Sequence, residues 1–172
     1  MKFVFALLVS MLAGGSLEAQ SAAKKTDVYQ CVPCGHDCDR NEYTKKGKCP
    51  HCDMKLVKKS SIVFNTISPE ALCDYLQQHP EAVVLDVRTK QEFEGKSTPR
   101  YGAIRNAINI PIHELEKRLP EIASMKNKDV IVYCSHSVRS PQACYLLTQN
   151  GFTSITNMSG GISTMGDAAC KE

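Results

Sequence analysis

Ile131-Val132-Tyr133-Cys134-Ser135-His136-Ser137-Val138-Arg139-Ser140 is the stretch on which the fold turns. Ile131, Val132 and Tyr133, β-branched or aromatic, read as the end of a buried strand. Beyond the six residues Ser135 to Ser140, the run Pro141 to Gln149 has helical spacing, with proline at the first helical position. Cys134 therefore falls at a strand-to-helix turn. Backbone N–H groups of the loop and the positive end of the following helix can point there at one anion, and both favour thiolate over thiol. Arg139 adds a permanent positive charge. A nucleophilic sulfur so placed suits two chemistries: accepting a sulfur atom to become a persulfide, or attacking an oxyanion such as phosphate or arsenate.

Outward from this turn the chain alternates strands with helices. Ile62-Val63-Phe64 reads as a short strand. Ser68 is an N-cap before Pro69, opening a helix to about Gln78 whose Leu72, Tyr75 and Leu76 share a face. Val83-Val84-Leu85 is a buried strand ending at Asp86, and Lys90 to Glu94 a short helix. A turn-rich stretch through Pro99 to Gly102 is placed to form a lip over the site. Ala107 to Ile110 reads as a strand, His113 to Leu119 as a helix, Val130 to Tyr133 as the central strand and Ile155 to Asn157 as the last. This alternation predicts an α/β fold, a mainly parallel sheet with helices on both faces. Ligands in such sheets sit beyond the carboxyl ends of the strands, where Asp86 and Cys134 both fall. Asp86 is expected to brace the loop by hydrogen bonds, while Arg88 either lines the pocket mouth or lies on the surface. Cys73 and Cys144 read as small core residues; Cys170, in a polar tail, is free, paired, or a second sulfur acceptor.

The spacing Cys134-x4-Arg139 resembles the active loop of the rhodanese sulfurtransferases, one residue shorter than that of the related protein phosphatases. Asp86-Val87-Arg88 with Glu92-Phe93, Asn109-Ile110-Pro111, Gly151-Phe152 and Gly160-Gly161 extend the resemblance over about Phe64 to Ala168. It implies a rhodanese-like domain in which Cys134 is the nucleophile, Arg139 the anion clamp, and Ser135, His136, Ser137, Val138, Arg139 and Ser140 the substrate-binding cradle, with no cofactor. Ser135 stands where the family usually has a basic residue and Ser137 where it has glycine. His136 can supply part of the missing charge near neutral pH. The chain has no tryptophan, and Met165 lies near the place of the one that often follows the double glycine.

A length of 172 residues allows one domain and a small second one, and 42% hydrophobic with 23% charged residues describes an ordinary globular chain. A net charge of +3 does not by itself argue for nucleic acid or a membrane surface. Met1 and Lys2 precede the apolar run Phe3 to Leu12, followed by small residues: the layout of a signal peptide over 1–23, cleaved after Ala19 or Ala23. The run is too short to span a bilayer. An exported, periplasmic or secreted protein without stable membrane insertion is expected.

Five of the nine cysteines crowd residues 28–58. Cys31-x-x-Cys34 and Cys49-x-x-Cys52, fourteen residues apart, offer four thiolates at tetrahedral spacing. About thirty residues with few apolar side chains need metal or disulfides to fold. The ending Cys49-Pro50-His51-Cys52-Asp53-Met54-Lys55-Leu56-Val57 resembles short heavy-metal-binding domains of metal resistance proteins, while the first knuckle moves the site toward a four-cysteine zinc ribbon. Zinc is the expected ion, copper(I) the alternative for soft ligands, with Cys38, His36 and His51 as spare ligands and disulfide knuckles as the rival. A basic ribbon also suits nucleic acid, but export and the scarcity of aromatics argue against it. Residues 62–170 read as a sulfurtransferase that takes a small donor's sulfane sulfur onto Cys134 and passes it to a thiol or cyanide-like acceptor. The alternative is a non-catalytic soft-metal or redox sensor built on the cysteine module.

Overall fold

The computed structural model describes residues 27–172, so the signal-peptide segment lies outside the described residues. In chain order the strands are β1 (Tyr29–Cys31), β2 (Glu42–Tyr43), β3 (Leu56–Lys58), β4 (Asn65–Ile67), β5 (Val83–Asp86), β6 (Ile108–Asn109), β7 (Asp129–Tyr133) and β8 (Ser154–Met158). The α-helices are α1 (Pro69–Gln78), α2 (Lys90–Phe93), α3 (Ile112–Arg118) and α4 (Arg139–Gln149). Short 3₁₀ turns cover Asp37–Arg40, Lys59–Ser61, Leu119–Met125 and Ile162–Thr164. The first three strands form an antiparallel sheet in the order β2-β1-β3. The other five form an all-parallel sheet in the order β4-β8-β7-β5-β6.

Strand β7 is central, and its two-residue period sorts side chains to two faces. Val130, Val132 and Cys134 join Leu115 of α3 and Ala143, Cys144 and Leu147 of α4 on one side. Ile131 and Tyr133 join Leu72 of α1, Ile104, Met158 and Ile162 on the other. With both faces covered, β7 has no polar side, which is why Val130 to Tyr133 is a continuous apolar run. Helix α1 begins as expected: the Ser68 hydroxyl accepts from the Ala71 N–H, and Pro69 follows the cap. Among the described residues no helix is long and apolar enough to cross a membrane.

Four expectations need correction. Ile62 to Phe64 is not a strand; Val63 is 63% exposed, and pairing with β8 begins at Asn65. An edge strand is placed by its single partner's register rather than by its own hydropathy. Helix α4 begins at Arg139, so Arg139 and Ser140 belong to its first turn and Pro141 is third. Proline is tolerated there because first-turn N–H groups have no intrahelical acceptor. Cys73 is not a plain core residue: it forms a disulfide with Cys170 across 97 residues, tying α1 to the C-terminal segment. That segment pairs with Ala103 to Arg105 through Ala103 N–H to the Glu172 carbonyl (2.9 Å) and Arg105 N–H to the Cys170 carbonyl (2.8 Å). Arg88 neither lines a mouth nor lies on the surface; it is 1% exposed, its charge held by Asp86.

Leu147 is fully buried where α4 meets the sheet. Leu147→Ala is expected to lower unfolding free energy by about 2–5 kcal/mol. Val63→Ala, on the exposed approach to β4, is expected to stay within about 0.5 kcal/mol of wild type. Urea denaturation of both variants checks the pair.

Candidate active site

Cys134 follows the last residue of β7 and is only 1% exposed. Its Sγ lies 3.6 Å from the Ser140 hydroxyl. Burial alone would push the thiol up. The Ser140 hydroxyl and backbone hydrogen bonds from Ser140, Arg139 and His136 outweigh it, and the thiol titrates below its ordinary value. The early start of α4 makes this possible, because the N–H groups of Arg139 and Ser140 are first-turn donors that no helix carbonyl claims. Cys144, one helix turn further on, has its own backbone N–H as a donor, which burial outweighs, and its thiol is pushed up.

The loop is moulded from behind. The Ile162 N–H donates to the Cys134 carbonyl (2.9 Å) and the Ser163 N–H to the Ser135 carbonyl (3.0 Å). Between them and the loop sits Gly161 at φ +73°, where a Cβ would lie 2.3 Å from the Ser135 oxygen. Ser137 adopts φ +55°, the left-handed region that glycine serves more easily. Its hydroxyl accepts from Asn157 Nδ2 of β8 at 3.1 Å, which holds the serine in that conformation. From the cysteine module, Gly35 approaches so closely that a Cβ there would sit 2.8 Å from the Ser137 oxygen.

Arg139 does not stand free as an anion clamp. Its Nη1 and Nη2 each donate to a Glu92 carboxylate oxygen at 2.7 Å, and Nη2 also reaches the Ser135 hydroxyl at 3.1 Å. The Ser135 hydroxyl donates to Glu92 Oε1 (2.8 Å), so helix turn, loop and α2 are joined through one carboxylate. The Arg139 guanidinium holds Glu92 well below the usual carboxylate range, against burial and with help from Thr89 and Ser135. Glu92 had no assigned role, yet Thr89-x-x-Glu92 is a capping box, the one signal in the sequence that fixes its position. The Thr89 N–H donates to Glu92 at 2.9 Å and the Glu92 N–H returns to the Thr89 hydroxyl at 3.3 Å.

The remaining expected residues take distinct places. His136 and Val138 are exposed at the loop rim. The Tyr101 hydroxyl lies 3.3 Å from His136 Nε2, so the Pro99 to Gly102 stretch does reach the loop. Asp86 does not touch the loop with its carboxylate, which accepts from Arg88 N, Nε and Nη2 at 2.6–3.0 Å. Arg88 passes that hold on through Nη2 to the Gly102 carbonyl (2.8 Å), beside Tyr101. A cavity of about 570 Å³ lies elsewhere, lined by Cys73, His79, Val83, Arg105 and Cys170. It opens by the start of β5, whereas Cys134 follows the end of the parallel β7.

Residues 68–167, more than half of the chain, match the rhodanese-like domain family. The chain belongs to that family. A sulfurtransferase of Allochromatium vinosum is 35% identical over 100 residues, covering 58% of this chain and 86% of that protein. A rhodanese-related protein from Thermoplasma volcanium superposes with a TM-score of 0.51 at 30% identity, over 62% of this chain and 94% of that one. A tRNA uridine(34) hydroxylase of Photorhabdus laumondii is 28% identical over 109 residues, but this rhodanese-like chain covers only 29% of its length. The family's activity is thus sulfur transfer, and its domain also serves within a larger enzyme of another kind.

Of the cysteine module, Cys31, Cys38, Cys49 and Cys52 have sulfurs within 4.8 Å of one another. Cys34 falls outside that group, in a second one with Cys31, Cys38 and Asp39, and His36 is in neither. The 3₁₀ turn at Asp37–Arg40 turns Cys38 inward, which the Cys-x-x-Cys spacing alone does not reveal. The cluster is chemically able to bind a metal ion.

Iodoacetamide alkylation of Cys134 is expected to have its pH midpoint below the ordinary cysteine value of about 8.5. Ser140→Ala moves that midpoint up and slows the reaction at neutral pH. Glu92, depressed in the folded protein, contributes stability present above its unfolded value of about 4.3 and lost as pH falls toward the folded one. The stability gap between wild type and Glu92→Gln is therefore expected to narrow below about pH 4.3 in acid titrations of chemical denaturation.

Proposed function

We propose that this rhodanese-like protein is an exported sulfurtransferase that carries sulfane sulfur as a persulfide on Cys134. The observation that carries this reading is a buried thiol kept low by the Ser140 hydroxyl and three backbone donors. The Cys134 thiolate attacks the outer sulfur of thiosulfate or of a persulfide. The donor's S–S bond breaks, sulfite or a thiolate leaves, and the Cys134 Sγ–S bond forms. A small acceptor, a thiolate or cyanide, then attacks that outer sulfur and Cys134 departs as thiolate. Across both steps the same donors face an anionic sulfur, so the cradle need not reorganise. Arg139 acts by position, locking the loop through Glu92 and Ser135, more than as an open anion site. Near-complete burial of Cys134 suits a small donor and disfavours a bulky phosphate ester.

The signal-peptide layout at residues 1–23 supports export to the periplasm or beyond, and the Cys73–Cys170 disulfide suits an oxidising compartment. We take zinc as the ion of the cysteine module, copper(I) being its competitor, and no nucleic acid or membrane as partner. The five-cysteine cluster favours a second reading, a soft-metal or redox sensor for which the rhodanese-like domain is only a platform.

Sulfur transfer to cyanide, from thiosulfate and from a persulfide donor, separates the two. Wild type is expected to turn over at least one donor and to carry a labile adduct of about 32 Da on Cys134. Cys134→Ser should fall to background with both. Turnover retained in that variant, or none in folded wild type, would sink the enzyme reading.

A further inference from the structure

The spacing of the knuckles points to Cys31, Cys34, Cys49 and Cys52 as ligands, but the geometry points to another set. We propose that Cys31, Cys38, Cys49 and Cys52 form a four-thiolate site for a borderline-to-soft d¹⁰ cation, zinc(II) or copper(I), and that Cys34 is held out of it by Asp39. This rests on the metal-binding reading of the module and specifies it.

In a tetrahedral site with Zn–S bonds of about 2.3 Å, sulfurs stand about 3.8 Å apart. The four proposed sulfurs lie within 4.8 Å of one another, with Cys31 and Cys52 at 3.1 Å. A small adjustment of these side chains, Cys31 and Cys52 moving apart and any wider pair closing, completes the site around an ion. Cys31, Cys38 and Cys49 are buried and Cys52 is half-buried. Cys38 and Cys52 line a surface cavity with His36 and His51, which gives an ion a way in. The Tyr43 hydroxyl lies 3.7 Å from Cys49 Sγ, an outer partner of the kind that orients ligands.

The competing group of Cys31, Cys34, Cys38 and Asp39 is equally compact. Its carboxylate is already engaged. Asp39 accepts from the Cys34 N–H at 2.9 Å, the Gly35 N–H at 2.7 Å and the Cys34 thiol at 3.2 Å. Drawing Asp39 onto an ion would strip two backbone N–H groups of their acceptor. It would also release the turn that sets Gly35 against the Ser137 carbonyl of the active loop. Cys34 thus belongs to the docking turn, and Cys38, on the adjoining 3₁₀ turn, fills the fourth corner. The module also has a reason to hold an ion. Tyr29 and Leu56 are its only buried apolar side chains beside cysteines and Val32, too little for a core of this size to fold on alone.

Loading the chain with cadmium-113 and recording cadmium–proton correlations identifies the ligands in the wild-type protein, without a variant that might misfold. One cadmium signal coupled to the β-protons of Cys31, Cys38, Cys49 and Cys52 is expected, with none from Cys34. Native mass spectrometry after separate loading with zinc(II) and copper(I) should show either ion retained by Cys34→Ser. Cys38→Ser should bind at least about 10-fold more weakly, the lower end of what losing even an outer partner costs. Correlations from Cys34 in place of Cys38 would overturn this ligand set and leave the metal reading standing. Absence of bound cadmium, zinc and copper, with the cysteines found as disulfides, would overturn the metal reading itself.

Discussion

An anionic sulfur withdrawn from water needs donors in place of the water it loses, and the arrangement around Cys134 follows from that requirement. Apart from the Ser140 hydroxyl, the donors are peptide N–H groups, which cannot be aimed by side-chain rotation; only the path of the backbone aims them. The path is set by contacts on every side of the loop. Gly161 lets the chain after β8 lie directly against Ser135 and His136, Asn157 holds Ser137 in a left-handed turn, and Glu92 ties Arg139 to Ser135. The strained φ of Ser137 is maintained because its neighbours over-determine it.

The same requirement accounts for the departures from the usual family loop. With serine rather than a basic residue after the cysteine, the local positive field comes mainly from oriented dipoles. Arg139 restores only part of that field, since Glu92 engages it at 2.7 Å on two arms. What the loop retains is geometry: short-range donors that act on an atom in contact and fade quickly beyond it. Such a site discriminates by fit more than by long-range attraction of anions.

Most of the parallel sheet was legible because its signals are local. The apolar run at Val130 to Tyr133, the Ser68-Pro69 start and the strand ending at Asp86 each follow from neighbouring residues alone. Edge strand β4 was misplaced because Asn65 and Thr66 carry no apolar signal and take their pairing from β8. The tie between Cys73 and Cys170 spans 97 residues and has no local trace at all. Arg88 shows a third kind of loss: a charged residue reads as exposed unless its buried partner, two residues earlier, is taken with it. Glu92 was legible in principle through Thr89-x-x-Glu92. The capping box fixes the helix start but says nothing of the second carboxylate oxygen, which faces Ser135 and Arg139.

In the small antiparallel module, the atoms that fill the interior are the atoms that react. Cys31, Cys34, Cys38 and Cys49 are packed there with Tyr29 and Leu56 as hydrocarbon would be in a larger domain. Joining two sulfurs of the module as a disulfide would draw them to about 2.05 Å, from 3.1 Å for Cys31 and the half-buried Cys52 or 3.5 Å for Cys34 and Cys38. Each electron pair removed would therefore also change the volume and shape of the interior. Redox state and packing are one variable in this module, and the surface it presents to the Ser137 carbonyl depends on both.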